Sequence, residues 1–309
     1  MAIEKEIWSN HLIENYWADN SFAKMADQCP EEYIYNNKVV HIPKEGGRAQ
    51  VSRNLNTFPV EPTTRDDKDI LYLIDQFFVH PWRIPNAEKY ELSYDKRQSL
   101  ISGQSSAANN TAAEWLLRHW FSYTQVNNDG TTTSEKSQLL KTSGELAAAT
   151  IGTGQRRLLT VKDFRKAKVT MNNQNVPTKD RYALVDSDML DQLTQDPEYK
   201  KAEKISEQEL VEGTVAKIQG FNIIERSSVL QLTEAGDTLT PWGSVPASTE
   251  NAGAMLWQKN GVETAMGGIE WFDDEGNPLY YSDILSCLLR ASGRIKRSDS
   301  VITIAQTAV

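Results

Sequence analysis

The glycine pair Gly152 and Gly154 is the first pattern in this chain whose spacing could do chemistry. It supplies two of the three glycines that let a backbone turn approach a dinucleotide pyrophosphate. Arg157 occupies the position of the third glycine, and the sequence predicts no strand before the turn. The longer phosphate-binding pattern that ends in Gly-Lys-Ser/Thr does not occur. We therefore expect no bound cofactor.

The acidic stretch Asp273–Asn277 is the second candidate, because it resembles a calcium-binding loop around Gly276. Its first ligand position holds Trp271 and its last holds Ser282, and neither supplies the carboxylate that such a loop requires. A glycine among short polar residues is also typical of a turn between two strands. We predict a hairpin turn at 273–277 and no calcium.

The sequence shows no cluster of residues typical of a metal site or of a catalytic site. The four histidines show no metal-ligand spacing to one another or to a cysteine: His11, His41, His80 and His119. No Gly-x-Ser-x-Gly nucleophile turn occurs, and the acidic pairs Asp66/Asp67 and Asp273/Asp274 are consecutive residues that need not converge on one substrate. The sequence thus predicts no catalytic and no metal-binding residue. An enzyme whose site is assembled from scattered residues stays an alternative.

The stretch 181–193 raises a question of a different kind. It begins as a strand with Tyr182 and Leu184, and from Asp186 it has the caps and the spacing of a helix. A strand that runs directly into a capped helix often opens a nucleotide or catalytic site. The residues around this joint carry no motif that would complete such a site.

The amino-acid composition is typical of a protein that folds around its own hydrophobic core. The chain has 309 residues, 39% hydrophobic and 24% charged, with 42 acidic and 33 basic residues and a net charge of −9. A negative chain disfavours broad nucleic-acid binding. Its longest apolar run, 70–79, is interrupted by Asp75 and Gln76, so we expect no membrane span. The charged residues Glu4, Lys5 and Glu6 exclude a secretory signal there.

Cys29 and Cys287 lie far apart in the sequence. A single disulfide is one possibility, and two buried free thiols in a reducing compartment are the interpretation we favour. Together with the absence of a signal sequence, this predicts a soluble intracellular product.

Charge is unevenly distributed along the chain. Six basic residues fall between Arg156 and Lys168, and nine acidic residues fall between Asp186 and Glu212. These segments could be two solvated faces. They could also be complementary faces of neighbouring subunits, since opposite potentials set register and partner choice.

The first third of the chain combines an amphipathic segment with extended structure. Residues 3–26 place Trp8 and Trp17 at helical spacing with other apolar residues, and so many aromatic groups need a large surface to bury them. Residues 38–94 read as a strand stopped by Pro43, a polar stretch, and one long strand covered on both faces. This pattern favours a projecting β-arm over a compact sheet.

Helices and short strands follow. The sequence predicts a long helix over 95–123, rich in small residues that would let other elements approach closely. It predicts a second helix over 161–172 that begins with a capping box between Thr160 and Asp163. A polar helical stretch to about 212, a strand at 220–225, and several strands after 254 complete the chain.

This order of elements resembles the major capsid protein of tailed bacteriophages, the Hong Kong 97-like fold. The residues that carry the resemblance are EIWSNHLIENYW (6–17), VVHIPKEGGRAQ (39–50), NVPTKDRYALVDSDMLDQL (175–193) and GFNIIE (220–225). The resemblance implies an α+β fold with five parts. These are an N-terminal arm (1–37), an extended β-loop (38–94), a peripheral domain with a spine helix (95–175), an axial domain (176–267), and a return to the peripheral domain with a C-terminal strand (268–309).

The resemblance implies a structural role without catalysis. Copies of the chain would assemble as hexamers and pentamers into an icosahedral head in the host cytoplasm and become part of the virion. The partners would be other copies, portal and scaffolding proteins, and packaged double-stranded DNA that is enclosed without sequence-specific binding, with no membrane involved. The joint at Asp186 would start the axial domain. A tail-tube or decoration protein is the alternative among phage structural proteins.

Neighbouring subunits would bury side chains that one chain leaves uncovered. As inter-subunit contacts we predict six residues: Trp8, Trp17, Arg48, Arg53, Arg156 and Arg157. For the last two we expect an acidic segment of the neighbour as the partner.

Overall fold

A computed structural model describes most of the chain. The described residues are 16–36, 39–47, 49–54, 56, 58–85, 96–126, 132–149, 153–199, 217–241, 243–244, 247 and 249–307. Within them the α-helices are α1 (Glu31–Asn36), α2 (Lys96–Phe121), α3 (Val161–Asn173) and α4 (Ser187–Gln195). Short 3-10 helices occupy Ser21–Met25, Lys259–Gly261 and Ser298–Ser300.

The strands in the first half of the chain are short. They are β1 (Asp27–Gln28), β2 (Val39–Lys44), β3 (Lys68–Leu73), β4 (Asp75–Phe78), β5 (Trp82–Pro85), β6 (Ser122–Val126), β7 (Thr132–Lys136), β8 (Gln138–Lys141), β9 (Leu146–Ala148) and β10 (Gln155–Arg157). Those of the second half are β11 (Arg181–Asp186), β12 (Asn222–Arg226), β13 (Leu230–Leu232), β14 (Asn251–Gln258), β15 (Val262–Asn277), β16 (Ser282–Ile295) and β17 (Val301–Ala305).

A six-stranded sheet, the central sheet, forms the middle of the subunit. Its strands follow the order β12, β11, β14, β17, β8, and β13 pairs with β14 beyond the end of β11. All eight residues of β14 are buried, because the sheet is covered on both faces. One face packs Trp257 against Trp120 of α2, and the other packs Leu256 among the apolar residues of α3 and α4.

The spine helix is confirmed as α2, whose 26 residues would span about 39 Å. The small residues do let another element approach, since Ala108 and Ala112 pack directly against Cys287, Leu289 and Ala291 of β16. A side chain at Gly293 would collide with Leu116 and with the Glu263 carbonyl, so β16 needs glycine where it crosses α2.

The two helices predicted with caps are both confirmed. The capping box of α3 is present, with the Thr160 backbone N–H donating to the Asp163 carboxylate at 3.1 Å. The Ser143 hydroxyl donates to the same carboxylate at 2.6 Å. Asp186 accepts from the Met189 N–H at 2.7 Å and so caps α4 directly after β11. Of the polar stretch predicted beyond it, residues 200–212 lie outside the described part of the chain.

A second sheet, the hairpin sheet, is built on the long antiparallel pair β15 and β16, with β1 beside β15 and with β4 and β5 beside β16. The turn that joins β15 to β16 falls at 278–281. The hairpin turn predicted at 273–277 is therefore displaced, because Asp273 and Asp274 still pair with Leu285 and Ile284.

The β-loop consists of the hairpin β2–β3 and the segment between those strands. Pro43 does not end β2, which continues to Lys44, and Pro43 lies opposite Asp69 in a two-stranded ladder. Proline is tolerated there because each strand of such a ladder has an outer edge that needs no hydrogen-bond donor. The single long strand predicted for 69–85 is also wrong. The chain leaves β2 after Leu73 and rejoins as β4 and β5 on β16, which divides it into three strands. Leu73 and Phe78 are exposed, so this stretch is not covered on both faces.

Both cysteines are buried and free, as predicted. Burial raises the pKa of the Cys29 thiol and of the Cys287 thiol, which keeps both in the unreactive protonated form.

Candidate functional site

The strand-to-helix joint at Asp186 holds a structural carboxylate. Its side chain is buried, and one oxygen is occupied by the first turn of α4. Burial raises the pKa of Asp186, while the hydrogen bond from Met189 and the neighbouring Asp188 modify that shift. The buried carboxylate thus caps α4, which gives the joint a structural role and answers the question that this stretch raised.

Two open grooves lie among the described residues. The larger, of about 730 Å³, lies between the start of α3 and the end of α4 and is lined mainly by polar side chains that include Arg157, Lys162 and Gln192. Within the described residues, no group of three or more His, Cys, Asp or Glu side chains could hold a metal ion. Among the helices described, none is both long and apolar enough to cross a membrane.

Exposed apolar side chains are concentrated on projecting elements. On the β-loop, Val51, Phe58 and Val60 are 93%, 76% and 60% exposed. At the tip of the long hairpin, Leu279 and Tyr281 are 81% and 78% exposed. Large apolar groups displayed together in this way mark surfaces that another protein covers.

The face of the hairpin sheet that points away from α2 carries a further apolar strip. Leu288 is paired with Phe78 on one side and with Glu270 on the other, and Phe272 lies two residues beyond Glu270 on β15, on the same face. Phe78 and Phe272 are more than half exposed. Arg290 lies 3.8 Å from Glu270 on the same face, which places an ion pair beside the strip.

The structure describes four of the six predicted contact residues: Trp17, Arg53, Arg156 and Arg157. Trp8 and Arg48 lie outside the described residues. Trp17 is 45% exposed next to the fully exposed Tyr16, and Arg53 is exposed on the β-loop. Their part in inter-subunit contacts stays a prediction.

Arg156 and Arg157 face in different directions on β10. The Arg156 side chain is buried, and its Nε donates to the Asn251 side-chain oxygen at 2.6 Å. Arg157 is exposed and donates to the Gly144 carbonyl at 3.2 Å. An acidic partner in a neighbour therefore stays a prediction for both, and Arg157 is the one whose side chain is accessible.

The acidic and basic segments contact each other within the described part of the subunit. Arg165 of α3 pairs with Glu198 at 3.2 Å, and Asp196 accepts a hydrogen bond from the Val161 N–H at 2.9 Å. Some of the basic and acidic residues that are separated in the sequence thus connect α3 to the end of α4.

Sequence reasoning missed two features. The hairpin tip was signalled by the run Leu279-Tyr280-Tyr281, three apolar residues directly after a turn-forming Asn-Pro pair. The deeply buried arginines Arg181, Arg226 and Arg294 carry no such signal, because residue type alone does not separate a buried guanidinium from a surface one.

Comparisons with known proteins find a phage capsid protein family and solved structures from phages. A model of the phage capsid protein family matches residues 85–273. The capsid of cyanophage P-SCSP1u is similar in structure with a TM-score of 0.69 at 16% identity, covering 99% of this chain and 93% of that one. The head of Helicobacter pylori bacteriophage KHP40 gives 0.71 at 10% identity, covering 98% and 95%. A structure from Mycobacterium phage Che8 gives 0.65 at 14% identity, covering 97% and 96%. No curated protein matches the sequence.

Proposed function

This chain belongs to the phage capsid protein family and has the Hong Kong 97-like fold, and on that premise we propose that its copies assemble as hexamers and pentamers into an icosahedral head enclosing double-stranded DNA. It is a structural protein of the virion shell. The single observation that carries the proposal is the concentration of exposed apolar side chains on elements that project from a complete core.

The β-loop supports assembly because the segment between its two strands leaves Val51, Phe58 and Val60 exposed. Residues 45–67 leave the two-stranded ladder and return to it without a described strand of their own. An extended segment of this length reaches far enough to lie on another subunit. Val51, Phe58 and Val60 would then be covered by a neighbour.

The proposed division of labour follows the five parts predicted from the sequence. The arm (1–37) and the β-loop (38–94) would make the contacts between subunits. The parts 95–175 and 268–309 would form the peripheral domain around α2, and 176–267 would form the axial domain around the capsomer axis. The joint at Asp186 lies near the start of that axial part.

Each contact in a shell can be weak and still hold the assembly together. Closure makes many contacts simultaneous, so a few kcal/mol at each are enough. The net charge of −9 fits a container for DNA, since like charge keeps phosphates from adhering to the wall. Portal and scaffolding proteins are the further partners we propose, with assembly in the host cytoplasm.

Electron microscopy of the purified protein, with size-exclusion chromatography beside it, tests this proposal. We expect closed shells, or rings of five and six subunits, for the protein alone or with a scaffolding protein supplied. Tubes would contradict the proposal and favour a tail-tube protein. A monomer that stays inert with scaffold present would contradict assembly itself.

A further inference from the structure

Arg226, the last residue of β12, carries a guanidinium whose side chain has no solvent exposure. A charge in that position is costly unless its donors are satisfied. Burial lowers the pKa of Arg226, opposed by the nearby Glu114 and Asp19. An apolar side chain could fill this space at a lower cost in free energy than a buried guanidinium. The hydrogen bonds of Arg226 therefore indicate what the arginine contributes to the subunit.

Those hydrogen bonds join three separate parts of the chain. Nε and Nη2 both donate to the Asn20 side-chain oxygen at 3.3 Å, and Nη2 also donates to the Asn110 side-chain oxygen of α2 at 3.0 Å. Nη1 donates to the Ser228 carbonyl just beyond β12. Glu114 of α2 lies 3.8 Å away and supplies the closest negative charge.

Asn20 is the second residue of a short segment, the arm root (19–26), that is packed into the body of the subunit. Phe22 meets the Trp120 ring edge-on at 5.8 Å, and Trp257 donates from its ring N–H to the Met25 carbonyl at 3.0 Å. Asp19 accepts from the Ser21 N–H at 2.9 Å and from its hydroxyl at 2.8 Å, which turns the chain at this point.

The chain leaves the body just before this turn. Tyr16 is fully exposed and Trp17 is 45% exposed, whereas Phe22 is completely buried. Apolar packing fixes the position of Phe22. Because such packing is not directional, it does not set the direction in which the preceding residues leave the body. Among the described residues, the hydrogen bonds from Arg226 are the side-chain contacts that tie Asn20 to α2 and β12.

We propose that Arg226 is a positioning residue for assembly: it locks the arm root to α2 and to the edge of the central sheet, and so sets where Tyr16 and Trp17 are presented to a neighbouring subunit. This inference rests on the proposed function, which assigns Trp17 to a contact between subunits. Arginine suits the task because its planar fork directs donors to several acceptors at once, which the single ammonium of lysine cannot do.

The first experiment measures the arm root in the unassembled full-length protein. Lys24 is exposed on the arm root, so trypsin cleaves after it only when the segment leaves the body. We expect Arg226→Met to accelerate cleavage after Lys24 about tenfold or more, measured by mass spectrometry at early times. Methionine fills the buried space and removes every donor.

Arg181→Met is the matched control. Arg181 is equally buried and donates to the carbonyls of Pro177 (2.8 Å) and Val176 (2.7 Å), so its loss also destabilises the subunit. It makes no contact with the arm root among the described residues, and we expect wild-type cleavage after Lys24. Equal acceleration in both variants, or none in Arg226→Met, would overturn the proposal. If Arg226→Met does not fold, Asn20→Ala removes the same link from the arm side.

The second experiment connects the arm root to assembly. Arg226→Met should give at least a fivefold lower yield of regular shells than Arg181→Met at equal subunit concentration, counted by electron microscopy. Arg226→Lys should not restore the yield. Regular shells from a variant whose Lys24 site is freely cleaved would exclude the positioning role. If the wild type formed no shells, the proposed function would fail, while the protection of Lys24 would still report whether Arg226 holds the arm root.

Discussion

The central sheet and the β-loop are two regions of one chain with opposite relations to solvent. Every residue of β14 is buried, and the sheet has apolar clusters on both faces. In the segment of the β-loop between β2 and β3, by contrast, Val51, Phe58 and Val60 are exposed, with Val51 almost fully so. The first region is complete within one subunit, and the second is the region that we propose another subunit covers. Substitutions in the two regions should therefore fail in different assays.

The largest expected effect comes from breaking the core. Trp120 is fully buried between Phe22 and Trp257, and its ring N–H donates to the Glu263 carbonyl at 3.1 Å. Trp120→Ala should lower the free energy of unfolding by about 3–5 kcal/mol, because it leaves a cavity and an unpaired carbonyl. Denaturant unfolding followed by circular dichroism measures this. Trp17→Ala, at an exposed tryptophan, should unfold like the wild type, and equal losses in the two variants would contradict the comparison.

Acid should weaken the same core through His119. Burial holds the pKa of His119 at about 4, against 6.5 for a free histidine, with the ring packed between Trp115 and Tyr123. Between these values the unfolded chain binds one more proton than the folded subunit, so stability rises with pH and is lost as pH falls from about 6.5 to about 4.

The expected loss from this residue is up to about 3 kcal/mol across that range. Unfolding of His119→Phe, followed from about pH 7 to about pH 4.5, should show that much less acid sensitivity than the wild type. His41→Phe, on the exposed β-loop, should keep the wild-type profile. Parallel profiles for His119→Phe and the wild type would show that the core does not carry this sensitivity.

The capping box of α3 gives a smaller effect. Asp163→Ala would leave the Thr160 N–H and the Ser143 hydroxyl without their acceptor, at a cost of about 1–3 kcal/mol in unfolding free energy. Thermal unfolding measures the change. Lys162→Ala, at an exposed position of the same helix, should change stability by less than about 0.5 kcal/mol. A result in which the two variants match would mean that the box does not stabilise α3.

The smallest effect on stability should accompany a large effect on assembly. The triple variant Val51→Ser, Phe58→Ser and Val60→Ser removes exposed apolar groups from the β-loop. We expect a change of less than about 0.5 kcal/mol in subunit unfolding, together with a clear loss of shells by electron microscopy. Replacing three exposed polar residues, Gln50, Ser52 and Thr63, by Ala is the control that should leave both unchanged. If the triple variant formed normal shells, the prediction that the β-loop contacts a neighbouring subunit would be wrong.

Elements governed by local rules were predictable from the sequence. The spine helix, the capping box at Thr160 and the cap at Asp186 depend on residues within a few positions of each other, and all three are confirmed. The overall fold followed from their order and from the resemblance that this order supports.

What depends on distant pairing was not predictable. The stretch 69–85 is rich in apolar residues, but its division into β3, β4 and β5 is decided by β16, roughly 200 residues away. The turn at 273–277 moved for the same reason, since cross-strand pairing extends β15 past its glycine. The candidate contact surfaces were predicted only as residue types, because exposure is a property of the folded subunit.

The position of β17 in the central sheet has a consequence for synthesis. β17 lies between β14 and β8, parallel to one and antiparallel to the other, and it is built from residues 301–305. While a ribosome is still translating earlier residues, the slot between those two strands is empty and both edges are unpaired. Closing the sheet is therefore a late step of folding, gated by translation. The two parts of the central sheet are thus joined only after this strand has left the ribosome.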